Sequence, residues 1–231
     1  MRPTLAQLLR ETGESVVLNV PNGSGYRCAA AVDGTGPIRY TAIVGALIPG
    51  HAGASRHAIF AHYPEAEIRQ IFGTTPLQRF NDNTITGFDA LLDCDAEARR
   101  TGHSTSHGQY DEAVAAIAAP VFQAGTVAAS LTVIGPAHRI TRATDRIVDL
   151  VVGAAETADL VRGLRPWITQ AHAHDGVRAD AAVLDRLLAT ADGRLRASAP
   201  TAGRALPIPR SAPFRSGPAG RGVGRGAGGG P

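Results

Sequence analysis

Apolar positions in the first third of the chain change period several times, and each change marks a new element. Leu5, Leu8 and Leu9 fall on one face of a helix, and Gly13 stands where a C-terminal glycine stops one. Ser15 to Val20 then reads as a strand, PNGSG at 21 to 25 as a turn, and Tyr26 to Val32 as the partner strand. Pro37 to Val44 is predicted as a third strand after the DGTG loop, so the opening is a helix followed by a β-meander.

The pattern changes at GALIPGHAGASRHAIFAHYPEAEIRQIF, where a glycine-rich, histidine-bearing loop leads into a helix near Ala54 to His62. Pro64 starts a second helix that runs through Phe72. In TITGFDALLDCDAEARRTG the spacing predicts a third helix, with Thr86 or Asp89 serving its first amides and Gly102 ending it. Farther on, Thr141 or Thr144 is expected to cap an amphipathic helix with Ile147, Val151, Ala155, Ala158 and Val161 along one stripe.

Between Glu112 and His138 there is no formally charged side chain, a window long enough for a membrane span. Its content argues against one. Pro120 and Gly125 interrupt it, Gln123, Thr126, Ser130 and Thr132 are spread through it, and alanine dominates where a span carries leucine and phenylalanine. Gln-Ala-Gly-Thr at 123 to 126 reads as a hairpin turn, the arm from Val127 to Ile134 is β-branched, and Gly135-Pro136 ends it. Two antiparallel strands, buried on at least one face, account for the stretch without a membrane.

Composition then limits the partners. The 231 residues suit one domain plus an appendage, and with 44% hydrophobic but 5% aromatic residues its core has to be built from small aliphatics. All 23 basic residues are arginine, which we read as coding bias of a GC-rich genome. Five of them lie from Ser198 onward, where there is no acid, so taking five from the net +3 leaves −2 for the rest of the chain. That balance gives no electrostatic footprint for nucleic acid. Cys28 and Cys94 have no CxxC spacing and no signal peptide precedes them, as expected of reduced thiols in a cytoplasmic protein. Residues 198 to 231 are rich in Pro, Gly, Arg and Ser with almost no apolar periodicity, a composition predicting disorder.

Taken in order, these elements describe an α+β domain, an antiparallel sheet flanked by helices. TGESVVLNV at 12 to 20, PGHAGASRHAIFA at 49 to 61, RFNDNTIT at 79 to 86 and the run from Ala98 to Pro136 also resemble, in the right order, the effector-binding domain of the IclR family of bacterial transcriptional regulators. The resemblance covers about Thr4 to Leu164 and implies a GAF-like fold. It divides the chain into an effector-binding domain at 1 to 165, a partly helical extension at 166 to 197 and the tail at 198 to 231.

What the resemblance implies is binding, not catalysis. The expected ligand is a small carboxylate or an aromatic acid, held between the sheet and the glycine-rich loop by positions matching Ala54, Ser55 and Arg56, by Asp111, by Pro120, and by His51 as the family's usual histidine. Arg56-His57 stands where the family's Gly-Lys is customary, so the Arg56 guanidinium either pairs with a carboxylate or fills the pocket. Family members associate, which implies a homodimer or homotetramer. They also carry a winged helix-turn-helix before this domain, and this chain is expected to reach specific DNA only through a separate or missing domain of that kind.

No cofactor, metal or catalytic site is expected. His51, His57, His62, His103 and His107 are accompanied by no HExxH or CxxC, the serines near them by no G-x-S-x-G elbow, and DGTGPI and GSG are too short for a nucleotide loop. The alternatives to a ligand sensor are a dimerisation module with a non-functional pocket and, further off, a small hydrolase.

Overall fold

Strand β1 (Ser15–Asn22) is buried from Ser15 to Val20 on both faces, which places it in the interior of a sheet. The computed structural model describes residues 4–74, 76–123, 125–156, 177–179 and 182. Within them β1 lies between β2 (Gly25–Val32) and β6 (Thr126–Pro136), and β6 pairs in turn with β5 (Val114–Gln123) and β5 with β4 (Ser104–His107). Short β3 (Leu47–Pro49) and β7 (Val177–Ala179) both pair with the far side of β2, and every pairing is antiparallel.

Alternation along the strands gives the two faces different jobs. Val16, Leu18, Val20, Ala30, Val32, Ile117, Leu131 and Val133 point to one face, where α1 (Thr4–Thr12) and α6 (Thr144–Ala155) cover them. Each fully buried valine, leucine or isoleucine among them contributes about 1.5–3 kcal/mol. The other face carries Ala116 and Ala118, against which Ala54 and Ala58 of α2 (Ala54–Phe60) pack. Alanine on both sides lets that helix sit close to the sheet. Behind it, α3 (Glu65–Phe72) and α4 (Phe88–Thr101) close a second core around Ile59, Phe60, Phe72 and Leu91.

The charge-free stretch is the β5–β6 hairpin, closed at Gln123 opposite Thr126 with Gly125 at φ +79°. Helices lie against both of its faces, so charge is excluded by burial within the domain. Among the described residues no helix is long and apolar enough to cross a membrane.

Several expectations need correction. Residues 37–44 form no strand; the edge strand is β3, a few residues later. Pro37 donates nothing to a ladder, Ile38 and Ile43 are more than 70% exposed, and the segment is held by Ser15 and Arg139, which donate to the carbonyls of Tyr40 and Ile38. Arg139 also pairs with the buried Glu14, joining the entry to β1 to α5 (Ala137–Arg142). Neither Thr86 nor Asp89 caps α4, whose N-cap is Gly87 without a side-chain bond, although Gly102 ends it in the left-handed conformation as expected. Thr144 donates to the carbonyls of Ile140 and Thr141 instead of accepting from amides, and the expected helix, α6, is preceded by the short α5, which the sequence pattern did not predict. Ile147, Val151 and Ala155 are buried as their stripe requires; Ala158 and Val161 lie outside the described residues. So does the expected disorder of 198 to 231, and of the extension at 166 to 197 only β7 and Ala182 are described.

Candidate functional site

A cavity of about 250 Å³ opens between the α2 face of the sheet, the start of α2 and the loop at 40–48. Its floor is built by side chains of one parity on neighbouring strands: Val17 and Asn19 on β1, Ala116 on β5, Thr132 and Ile134 on β6. Tyr26 and Cys28 of β2 and Tyr40, Ala42, Ile43 and Ile48 supply walls and roof, and Tyr110, Asp111 and Val114 stand on the approach to β5.

Polar atoms run in a line through this largely apolar space. Asn19 Nδ2 donates to Ser55 Oγ at 2.8 Å, and Ser55 Oγ shares a bond with Thr132 Oγ1 at 2.9 Å. Gly53, at φ +88°, lets the chain turn into α2, and its N–H donates to the Gln109 side chain at 2.9 Å. Tyr26 donates to the carbonyl of Ala52 at 3.2 Å, and burial pushes its phenol far above the usual range. Asp111 Oδ1 accepts from the amide of Ala113 at 3.0 Å, a local turn that fixes its carboxylate at the exposed mouth.

The structure brings together Ala54, Ser55 and Asp111 of the expected site residues, and places Arg56, His51 and Pro120 elsewhere. Successive residues on a helix point about 100° apart, so with Ser55 against the sheet Arg56 faces α4. There its guanidinium is fully buried and ion-paired with Asp95, and its Nε donates to the carbonyl of Gly50 at 3.2 Å. It neither binds at the cavity nor fills it. His51 sits behind the mouth, donating through Nε2 to the carbonyl of Gln78 at 2.8 Å and stacked on Phe80 at 5.2 Å. Phe80 meets Tyr110 edge-on at 4.7 Å, so His51 supports the rim through one intervening ring. Pro120 shares the face of Ala116 but lies four residues, about 13 Å, farther along the strand. It pairs with Ser130 past the last pair between β5 and β4, where its missing N–H leaves no β4 acceptor unmet.

Asn19, Tyr26, Tyr40 and Thr132 were missed by reasoning from sequence. Asn19 and Thr132 had a signal, a polar residue inside an otherwise apolar strand; the tyrosines had none, because their partners come from distant segments.

Burial holds His51, His57 and His62 below the usual histidine range, since each imidazolium would lose its hydration. The unfolded chain takes up protons near pH 6.5 while these native imidazoles stay neutral, so stability is complete above about 6.5 and declines as pH falls toward the lowered native values, by up to ~1.4 kcal/mol per pH unit per proton. Urea midpoints are therefore expected to fall between about pH 7.5 and 5.5. Equal midpoints would mean that the three rings titrate alike in the native and unfolded states.

The family model described as "Bacterial transcriptional regulator IclR C-terminal" matches residues 1–160. The chain is 29% identical over 168 residues to the HTH-type transcriptional repressor AllR of Klebsiella pneumoniae, covering 71% of this chain and 61% of that protein. It is also 29% identical over 167 residues to the HTH-type transcriptional regulator BhcR of Paracoccus denitrificans, covering 71% and 59%. The chain thus spans about three fifths of the length of these relatives. Among solved structures, the C-terminal domain of the E. coli transcriptional regulator KdgR superposes with a TM-score of 0.61 at 24% identity, covering 68% of this chain and 93% of that one, which shows the fold. With a family match over most of its length and that fold beneath it, the chain belongs to the IclR family of bacterial transcriptional regulators, over the part that forms their C-terminal domain.

Proposed function

We propose that this chain is the ligand-sensing and oligomerising part of a cytoplasmic IclR-type regulator, and that the cavity at the start of α2 takes a small carboxylate or aromatic acid. The observation that carries this reading is the row Asn19–Ser55–Thr132 laid along the floor of an otherwise apolar cavity. Hydroxyls turned toward a ligand donate to its carboxylate, while Tyr26, Ile48, Ala116 and Ile134 take its apolar body. Asp111 at the mouth suits the far end of a hydroxylated acid, whose hydroxyl donates to it. Ordinary ligand pockets are roughly 300–1,000 Å³, so the effector is small. Catalysis is no part of the proposal, and contact with specific DNA is assigned to a helix-turn-helix domain outside the folded residues described above.

A ligand confined to the folded state at 100 times its Kd adds about 2.7 kcal/mol, which for a domain of this size raises Tm by roughly 5–10 °C. Pyruvate, glyoxylate and hydroxylated benzoates are the compounds to screen at millimolar concentration. Ser55→Ala and Asp111→Ala are expected to reduce the shift without unfolding the protein. Silence from every acid would favour the second reading, a dimerisation module with a non-functional pocket. That reading is supported by the exposed Ile43, Leu47 and Tyr110 around the mouth, an apolar rim suited to a protein partner. Light scattering at tens of micromolar, with a dimer or larger as the expected result, addresses the oligomerising part in either case.

A further inference from the structure

The outer edge of β2 is divided between two partners. Gly25, Tyr26 and Arg27 pair with β3, and the backbone of Cys28 is taken by Ala46, whose carbonyl accepts its N–H at 3.1 Å, and by Gly45, whose N–H reaches its carbonyl at 2.8 Å. Beyond that point the strand continues as Ala29-Ala30-Ala31-Val32, all at most 2% exposed. An uncharged, proline-free, small-residue edge of this kind is a template on which another strand can pair. In the structure Val177–Ala179 covers it, with Ala30 opposite Ala179, Ala31 opposite Arg178 and Val32 opposite Val177. This strand lies beyond residue 160, where the match to the family ends.

We propose that the Ala30–Val32 edge is a strand-addition site, and that its occupant is Val177–Ala179 of the same chain, held there as a guard that prevents the edge from pairing with a second copy. Residues 157–176 join the guard to the domain, and a connection of that length extends to about 70 Å, so reach does not restrict it. Concentration decides between the occupants. A tethered segment is present at an effective concentration on the order of millimolar, far above that of a second copy at micromolar levels. Backbone pairing also explains how a three-residue strand of unremarkable sequence serves: the register requires N–H and C=O groups and makes small demands on side chains.

Hydrogen exchange on the full chain tests this. The outward amides among Ala29–Val32 are expected to be protected, and to stay protected on dilution from tens of micromolar to about one. Replacing Val177, Arg178 and Ala179 together by proline removes every donor of the guard and is expected to speed exchange at those amides by about tenfold or more, while the β1 amides of Val16 to Leu18 stay protected. A synthetic peptide spanning residues 174–182 should restore protection in that variant, and Arg178→Ala should leave it intact. Exchange in the unmodified chain as fast as at the exposed Ile38 and Arg39 overturns the proposal whatever the variant does. Equal exchange with and without the prolines at about one micromolar, where a second copy is too dilute to pair, overturns it too, and loss of protection on dilution of the unmodified chain identifies a second copy as the occupant instead.

Discussion

Asp95→Ala is expected to lower the stability of the domain by about 3–5 kcal/mol, because it strands a buried guanidinium. Arg56 is fully buried and Asp95 is 1% exposed; the carboxylate oxygen Oδ1 accepts from Arg56 and lies 2.9 Å from Nδ1 of the equally buried His57. The remaining surroundings of Arg56 are Nδ1 of His57, 2.9 Å from Nη1, the carbonyl of Gly50 and the faces of Phe60 and Phe72, whose centroids are 6.0 and 5.2 Å from the guanidinium carbon. Phenyl rings, one carbonyl and an uncharged imidazole do not replace an ionised partner in a site without water access. Native domains are stable by about 5–15 kcal/mol, so the single substitution removes a large share. The double variant Arg56→Met, Asp95→Leu should recover most of it, since losing both charges together removes the desolvation cost as well. Urea unfolding of the two variants measures this. A loss under about 1 kcal/mol for Asp95→Ala would mean that Arg56 finds solvent or another acceptor. The cluster already contains Arg56 Nη2, His57 Nε2 and Asp95 Oδ2 without partners among the described residues, which leaves it little tolerance for further loss.

Leu131→Ala and Thr132→Val, adjacent on β6, are expected to fail in opposite ways. Leu131 is fully buried on the face covered by α1 and α6, directly opposite Leu18 on β1. Truncating it leaves a cavity between the sheet and two helices and should cost about 2–5 kcal/mol. Effector binding per folded molecule should be unchanged, because the cavity opens on the reverse face. Thr132 faces the pocket, and its hydroxyl meets Ser55 at 2.9 Å. Valine keeps the shape and β-branching, so the cost in stability is about 1 kcal/mol, whereas the thermal response to any acid effector should be largely lost. Paired melting curves with and without ligand separate the two outcomes. A normal ligand shift in Thr132→Val would remove the floor hydroxyls from the proposed site.

Helix and strand positions were largely legible because they follow from local period. Leu5, Leu8 and Leu9 with Gly13, the β1–β2 meander, Pro64 before α3 and the long hairpin each depend on spacing within a few residues. Pro37 to Val44 misled because alternating apolar residues there line a loop and a cavity roof, and nothing local distinguishes that from an edge strand. Capping failed at Thr86 and Thr144 for a related reason: a hydroxyl near a helix start has several acceptors and donors within reach, and the packed chain selects among them.

The candidate site divides along the same line. The order of the family-like blocks in the sequence was enough to point to the IclR family, to Ala54 and Ser55 at the start of α2, and to Asp111 before β5. Which face each side chain occupies was decided by tertiary packing. One residue along α2 separates Ser55 on the cavity floor from Arg56 in a buried ion pair with Asp95, a partner thirty-nine positions away. Asn19, Tyr26, Tyr40 and Thr132 come together only when β1, β2, the loop and β6 have been laid side by side. Period is a property of neighbours in the chain, and the sequence determined it alone; a pocket and a buried charge pair are made by elements distant in sequence, and only the folded arrangement decides which groups they join.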